Sequence, residues 1–397
     1  MMQRISSYQK LIIFTFFLLT LGNSSFLTVR GFSKFFEYSG YICLLATIFF
    51  RFAFDEKLFK KSKLLSLFFA CLFLFCIGLF ANSALDSTVR MQLVFSMVII
   101  AAVSLLAENY FLTFDDMRYM AYGVLLGISF AFFLALLGHV SLTTLAENGT
   151  GFGFNGGLQH KNYYGSYVVS CFIVFYLLYK KEKNNKDKHF LFLTLCLILP
   201  SNSRASYIFL IVFIFVCCVN KLKKFDWRLS FLIISVFAFA VISFASFFYT
   251  SYALKSGSYL YRVQGLINYL NYYSNDSFHI LFGSSEMAFR DPTIDYATAV
   301  RSVIGWNGTV ELSILSILIK NGIIGLCGYL LIYIRWLLIS LKSDFTIRNY
   351  YLAVYSTLLV SAFVENYITN MHVLFGLMLY LILSCFSGFI DDRKESL

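Results

Sequence analysis

The stretch YYGSYVVSCFIVFYLLYKKEKNNKDKHFLFLTLCLILP, residues 163–200, decides the fold. Residues 163–179 hold no Asp, Glu, Lys or Arg; five lysines then crowd into 180–188, and a second run without these residues follows. A helix on a protein surface keeps a polar face, whereas one that is apolar all round is buried in a core or a bilayer. The pattern recurs along the chain, with DEKLFKKSK at 55–63 and NKLKKFDWR at 220–228 separating further apolar runs. Runs of about 20 such residues are what a bilayer core requires.

Composition agrees. Of 397 residues, 59% are hydrophobic and 13% charged, 47 are Phe, and mean hydropathy is +0.73; a soluble domain carries about 25% charged residues. This predicts an all-α polytopic membrane protein with a single integral membrane domain over 1–397. The formal charge of +11 lies mainly in short loops. It therefore reads as the positive-inside bias and attraction to an anionic leaflet, with the lipid bilayer and no nucleic acid as partner. The nine cysteines sit inside apolar runs without C-x-x-C spacing, which argues against a disulfide framework or thiolate metal site. The first apolar run follows Arg4 and Lys10 but lacks a small-residue cleavage site, so it reads as an anchor.

With the basic loops as cytoplasmic fixed points, twelve spans are expected. They lie near 11–29, 35–54, 64–81, 91–107, 119–138, 163–179, 189–201, 206–220, 229–249, 322–341, 350–366 and 373–390, with both termini cytoplasmic. The seventh is short and starts inside the polar loop before it. This layout puts 22 of the 32 Lys and Arg on the cytoplasmic side. One external stretch, about 250–305, is long, formally neutral and rich in tyrosine; such loops are functional or disordered. This one is too aromatic for disorder, and short helices over the membrane mouth are expected.

GFGFNGGLQHKN at 151–162 contains G-x-G-x-x-G, the spelling of a dinucleotide-binding turn. That turn needs a preceding strand and a βαβ unit, but SFAFFLALLGHV before it belongs to a membrane helix. The glycines can instead bring backbone close to a ligand at a helix N-terminus, an anion site, where His160 and Lys161 stand. A plain re-entrant turn with His160 capping its own helix is the structural alternative. In PSNSRASY at 200–207, Pro200 ends one helix and Ser201, Asn202 and Ser203 can cap the next. This places Arg204 at the outer mouth, to pair with a carboxylate such as Glu365 or to hold a phosphate through its planar fork. Arg262, Arg290 and Arg301 of the long loop can face it. In GWNGTVELSILSILIKNGIIGLCGYLLIY at 305–333, Asn307 can cap an interfacial helix over 308–320, completing an external region of 250–321. Glu311 then serves as a carboxylate base or a helix-dipole partner. His139, His160, His189, His279 and His372 are scattered singly, and no metal-ligand spacing or cofactor motif stands out.

Several of these pieces, in order over roughly 150–345, resemble the O-antigen ligase and polymerase superfamily, the Wzy and WaaL proteins. GGLQHKNYYGSY resembles their H-K-N-x-x-G segment, and SNSRAS their Ser-Arg step between helices. RVQGL at Arg262 and HILFGSSEMAF at 279–289 resemble parts of their large periplasmic loop. WNGTVELSILSILIKNGIIGL is similar to their H-N-x-x-L segment and the G-x-x-G that opens the next span. The resemblance implies a metal-independent, inverting glycosyltransferase of GT-C type in the bacterial inner membrane, without a cofactor. It would move glycan from an undecaprenyl-pyrophosphate carrier, with Arg204 and Arg262 holding the pyrophosphate, assisted by Arg290, Arg301 and Lys161. A Wzz-like chain-length regulator and a flippase are its implied partners. The ligases' proposed base, a His before Asn, is Trp306 here. That favours a polymerase activating its acceptor through Glu311, His160 or His279, or by positioning alone. An O-antigen ligase acting on lipid A-core, a protein oligosaccharyltransferase and a twelve-span flippase or transporter remain the alternatives.

Overall fold

Several helix starts in this chain are capped by short polar side chains. Ser6 and Gln9 form a capping box ahead of α1 (Ser7–Leu21). Asp86 accepts from Thr88 and Val89 N–H ahead of α5 (Ser87–Ala101), and Asn184 from Lys186 N–H ahead of α8 (Asn185–Ile198). Each satisfies donors that the first helical turn leaves open. The computed structural model describes residues 5–54, 58–145, 152–219, 257–285, 303–305, 310, 312–343 and 345–395. The remaining helices are α2 (Ser25–Val29), α3 (Ser33–Ala53), α4 (Leu58–Ala81), α6 (Met117–Leu137), α7 (Lys161–Glu182), α9 (Arg204–Val219), α10 (Gly257–Tyr272), α11 (Ser277–Phe282), α12 (Ser313–Lys342), α13 (Phe345–Val364) and α14 (Leu374–Glu395).

The described chain is mostly helical. Among the described residues, five stretches are long and apolar enough to cross a membrane: Ser33–Ala53, Ser62–Ala81, Ser87–Asn109, Phe114–Leu137 and Ser313–Lys342. Ser7–Leu21, Arg204–Cys218 and Leu374–Ile390 are shorter apolar helices. The chain is an all-α, multi-pass membrane protein. Helices occupy eleven of the twelve stretches expected as spans; the ninth, 229–249, lies outside the described residues. In the bundle α1 lies along α6 and α3, α12 along α4, α7 along α8, and α13 along α9.

Three boundaries differ from expectation. The first span is broken: α1 ends at Leu21, and α2 follows after the Asn23–Ser24 turn. Asn23 donates to the His372 carbonyl (2.6 Å) and Ser25 N–H to that of Gly157 (2.9 Å), so hydrogen bonds to distant segments take the place of helix continuation. The lysine-rich loop shrinks to Lys183 and Asn184, because its Lys and Glu residues extend α7 and Lys183 takes the left-handed conformation that stops it.

The third difference concerns the interfacial helix expected over 308–320. The structure starts it at Ser313 and runs it into the tenth span as α12, broken at Gly322 (φ 66°, ψ −168°). It is buried rather than lying on the surface, with Ser313, Leu315, Ser316, Ile317, Leu318, Ile319 and Asn321 inside. The break deprives the Ile319 carbonyl of its i+4 donor, and Ser284 N–H supplies the replacement at 2.8 Å. Tyr269 adds an O–H bond to the Leu318 carbonyl (3.3 Å) and pairs with Ser284 Oγ (2.8 Å). Asn321 donates to the Phe75 carbonyl of α4 (2.7 Å). The turn after α11 is thus wedged between α4 and the break. A Cβ on Gly322 would overlap the Leu281 carbonyl, and one on Gly78 that of Phe282. The expected short helices of the long loop are present as α10 and α11, and they enter the bundle rather than only covering it.

Gly322→Ala should therefore cost more than about 1 kcal/mol, combining an unfavourable positive φ with a backbone collision. A lower melting temperature in detergent and faster proteolysis within 257–285 are expected. Unchanged values for both would show that the wedge does not depend on Gly322.

Candidate functional site

A short hairpin leads to the site. Thr143–Leu145 pairs antiparallel with Phe152–Phe154, after α6 and not within a βαβ unit. Among the described glycines of this stretch, Gly156 (φ 60°) lies against the Tyr164 ring. Gly157 (φ 81°) sits where a Cβ would overlap the Ala131 carbonyl of α6. Its own oxygen accepts from the N–H and the hydroxyl of Ser25, both at 2.9 Å. Gly153 lies against the Lys161 stem and the Ser201 carbonyl. The motif is a crossing point that fixes the start of α7.

His160 is the N-cap of α7, its Nδ1 accepting from Asn162 N–H at 3.2 Å. A neutral imidazole that accepts at Nδ1 carries its proton on Nε2. Lys161 follows, ahead of the span read at 163–179. Partial burial first, and the neighbouring Arg204 charge second, hold its ammonium below the ordinary lysine range. Arg204 opens α9, which Ser203 caps through Ser206 N–H (3.3 Å). The two helix starts lie side by side because α7 presents Gly165 to Ser201 and Ser206; a Cβ there would stand 2.5 Å from Ser206 Oγ. Arg204 is exposed, and among the described residues it has no ion pair.

Glu365, the carboxylate expected as an alternative partner of Arg204, instead accepts from Asn162 Nδ2 at 3.1 Å. Arg262 of α10 donates through Nη1 to the Val364 carbonyl at 2.6 Å, one residue away. Ser313 Oγ donates to the Glu365 carbonyl (3.0 Å), and Asn366 Nδ2 to Ser316 Oγ (3.1 Å). The starts of α7, α9 and α12, the end of α13 and one turn of α10 meet at a single polar mouth.

His279 stands elsewhere. Its Nδ1 faces Asp276 Oδ2 at 2.5 Å, and its ring stacks on Tyr273 (4.9 Å, 25°). The His279 hydrogen bond first, and backbone N–H bonds, hold the Asp276 carboxyl below its usual range. This orients His279 with Nδ1–H toward the carboxylate and Nε2 as the basic nitrogen. Tyr273, however, lies eleven positions beyond Arg262, roughly 16 Å along a helix. Arg262 and His279 thus do not address one atom. Glu311, Arg290 and Arg301 lie outside the described residues.

A second cluster at the same end escaped the sequence reading. His372 pairs with the Glu37 carboxylate, which also accepts from Lys34 Nζ at 3.1 Å. Tyr167 donates to the His372 carbonyl (3.1 Å) and Tyr41 to that of Met371. The available signal was Glu37, a carboxylate inside an apolar run.

Compared with protein-family models and with curated proteins, the sequence finds no match.

His160→Ala should destabilise the protein by about 1 kcal/mol, the usual worth of an N-cap, whereas His160→Asn should restore the cap. Thermal unfolding of both variants in detergent checks this; equal melting temperatures would remove the cap from the ring's role.

Proposed function

We propose that the chain is a polysaccharide polymerase of Wzy type, an integral bacterial inner-membrane glycosyltransferase with a GT-C-like architecture. It would transfer undecaprenyl-pyrophosphate-linked glycan onto the next lipid-linked repeat unit at the external face. The observation that carries the reading is the meeting of Lys161 and Arg204 at adjacent helix starts, with Arg262 bonded beside Glu365 at the same mouth. Fixed cations and two helix N-termini suit a diphosphate, whose charge grows as it departs. Arg290 and Arg301 are proposed to add to this set.

The acceptor hydroxyl oxygen bonds to the anomeric carbon as the bond from that carbon to the diphosphate oxygen breaks. The electron pair leaves on the diphosphate, and the hydroxyl proton passes to a base. Because the bond to the carrier is already activated, alignment and charge stabilisation supply most of what is needed. Glu311, two positions before Ser313, is the proposed base. His160, a donor at Nε2, is assigned to the phosphate or a sugar oxygen, and His279 with Asp276 to the more distant acceptor glycan. A Wzz-like regulator and a flippase are the proposed partners.

Gene deletion with glycan analysis tests the reading. Polymerase loss leaves a single repeat attached, ligase loss removes all repeats from lipid A-core, and flippase loss strands carrier-linked repeats on the cytoplasmic face. Arg204→Ala and Arg262→Ala should each abolish long chains at normal protein level, and full-length polymer from either would remove that side chain from the mechanism. Polymerisation should also continue in chelator-treated membranes; a strict divalent-cation requirement would overturn the metal-independent scheme.

A further inference from the structure

A cavity of about 650 Å³ opens at the opposite end of the bundle, between the start of α1, the end of α3, the Glu108–Leu112 segment and Phe389 of α14. Its position is fixed by contacts. Phe389 packs on Phe114, and Lys181 reaches both the Phe114 ring and Asp115 (3.2 Å). The cavity therefore shares the lysine-rich end where α7 turns into α8.

One cation, Arg51, lines it. Arg51 lies over the Tyr8 ring at 4.0 Å, and among the described residues it has no ion pair. The cavity's own carboxylate, Glu108, pairs with Arg335. The walls continue outward as exposed apolar side chains, with Phe50 64% and Phe54 72% accessible. A small soluble anion would leave most of this volume unfilled, and a soluble organic ligand would leave the phenylalanines in contact with water. An acyl chain carrying a phosphate satisfies both features. The guanidinium fork matches phosphate oxygens, and basic residues at this end draw anionic headgroups. On the other flank of α1, Lys10 heads a second apolar trough, about 390 Å³, lined by Phe14, Phe17, Phe130 and Phe133. The same level of the bundle thus offers cations above grease on both sides of the helix.

We propose that the Arg51 cavity binds one anionic phospholipid, its phosphate on the guanidinium and an acyl chain along Phe50, Phe54 and Leu112. The site is separate from the polar mouth and does not depend on the proposed glycan chemistry. A structural role alone, Arg51 closing the last turn of α3 over Tyr8, predicts no lipid selectivity.

Native mass spectrometry of the full chain in mild detergent distinguishes these, with added phosphatidylglycerol, phosphatidylcholine or inorganic phosphate. The wild type should retain one phosphatidylglycerol at least tenfold better than phosphatidylcholine, and millimolar phosphate should not displace it. Arg51→Gln should abolish that preference, Arg51→Lys should keep part of it, and Lys10→Gln should leave it intact. No preference in the wild type, wild-type selectivity in Arg51→Gln, or full displacement by phosphate would overturn the proposal. If Arg51→Gln fails to fold, Phe54→Ser, on an exposed side chain, must still lower phosphatidylglycerol retention; unchanged retention overturns it.

Discussion

A helix that breaks inside a bundle must find a new donor for each carbonyl it abandons, and in this chain that requirement ties the long loop to the membrane domain. Gly322 interrupts α12, and Ser284 N–H replaces the donor that Ile319 has lost. Without a partner, such a buried carbonyl costs about 1–3 kcal/mol, more than most single contacts contribute. The wedge also fixes α10, because Tyr269 of that helix bonds to both Ser284 and Leu318. Fixing α10 in turn holds Arg262 against the end of α13. The seating of α10 and α11, and with it the position of Arg262, thus follows from a single backbone defect.

The other two cations are placed by a different device. Gly165, Ser201 and Ser206 let α7 and α9 approach closely at their N-termini, so Lys161 and Arg204 begin adjacent turns. Two like charges held together are unfavourable until an anion joins them. Glu365 does not play that part for Arg204: among the described residues the two form no ion pair, and the Glu365 carboxylate accepts from Asn162. The mouth therefore combines positive charge with hydrogen-bonded polar side chains, and small residues pack beneath it.

Much of this was legible in the sequence, for reasons that can be named. Uncharged runs between lysine clusters located the helices, since a helix apolar all round must be buried in a core or a bilayer. Ser201–Ser203 and His160 announced helix starts because capping chemistry is local. Arg204 stood out because an ionisable residue beside such a run is costly. What could not be read depends on distant contacts. The Gly22–Ser24 break is set by His372 and Gly157, and the burial of 313–321 by α11 and α4. The orientation of His279 toward Asp276 was local, yet its separation from Arg262 emerges only once α10 is built.

The wedge at Gly322 joins parts of the chain that are made at very different times. Asn321 is synthesised 246 residues after Phe75, whose carbonyl it caps, and the Phe282 turn seated on Gly78 comes only slightly earlier. At about 5–20 residues per second, α4 waits roughly 10–50 s before these partners are made. Insertion of this helix and completion of its packing are therefore separate events.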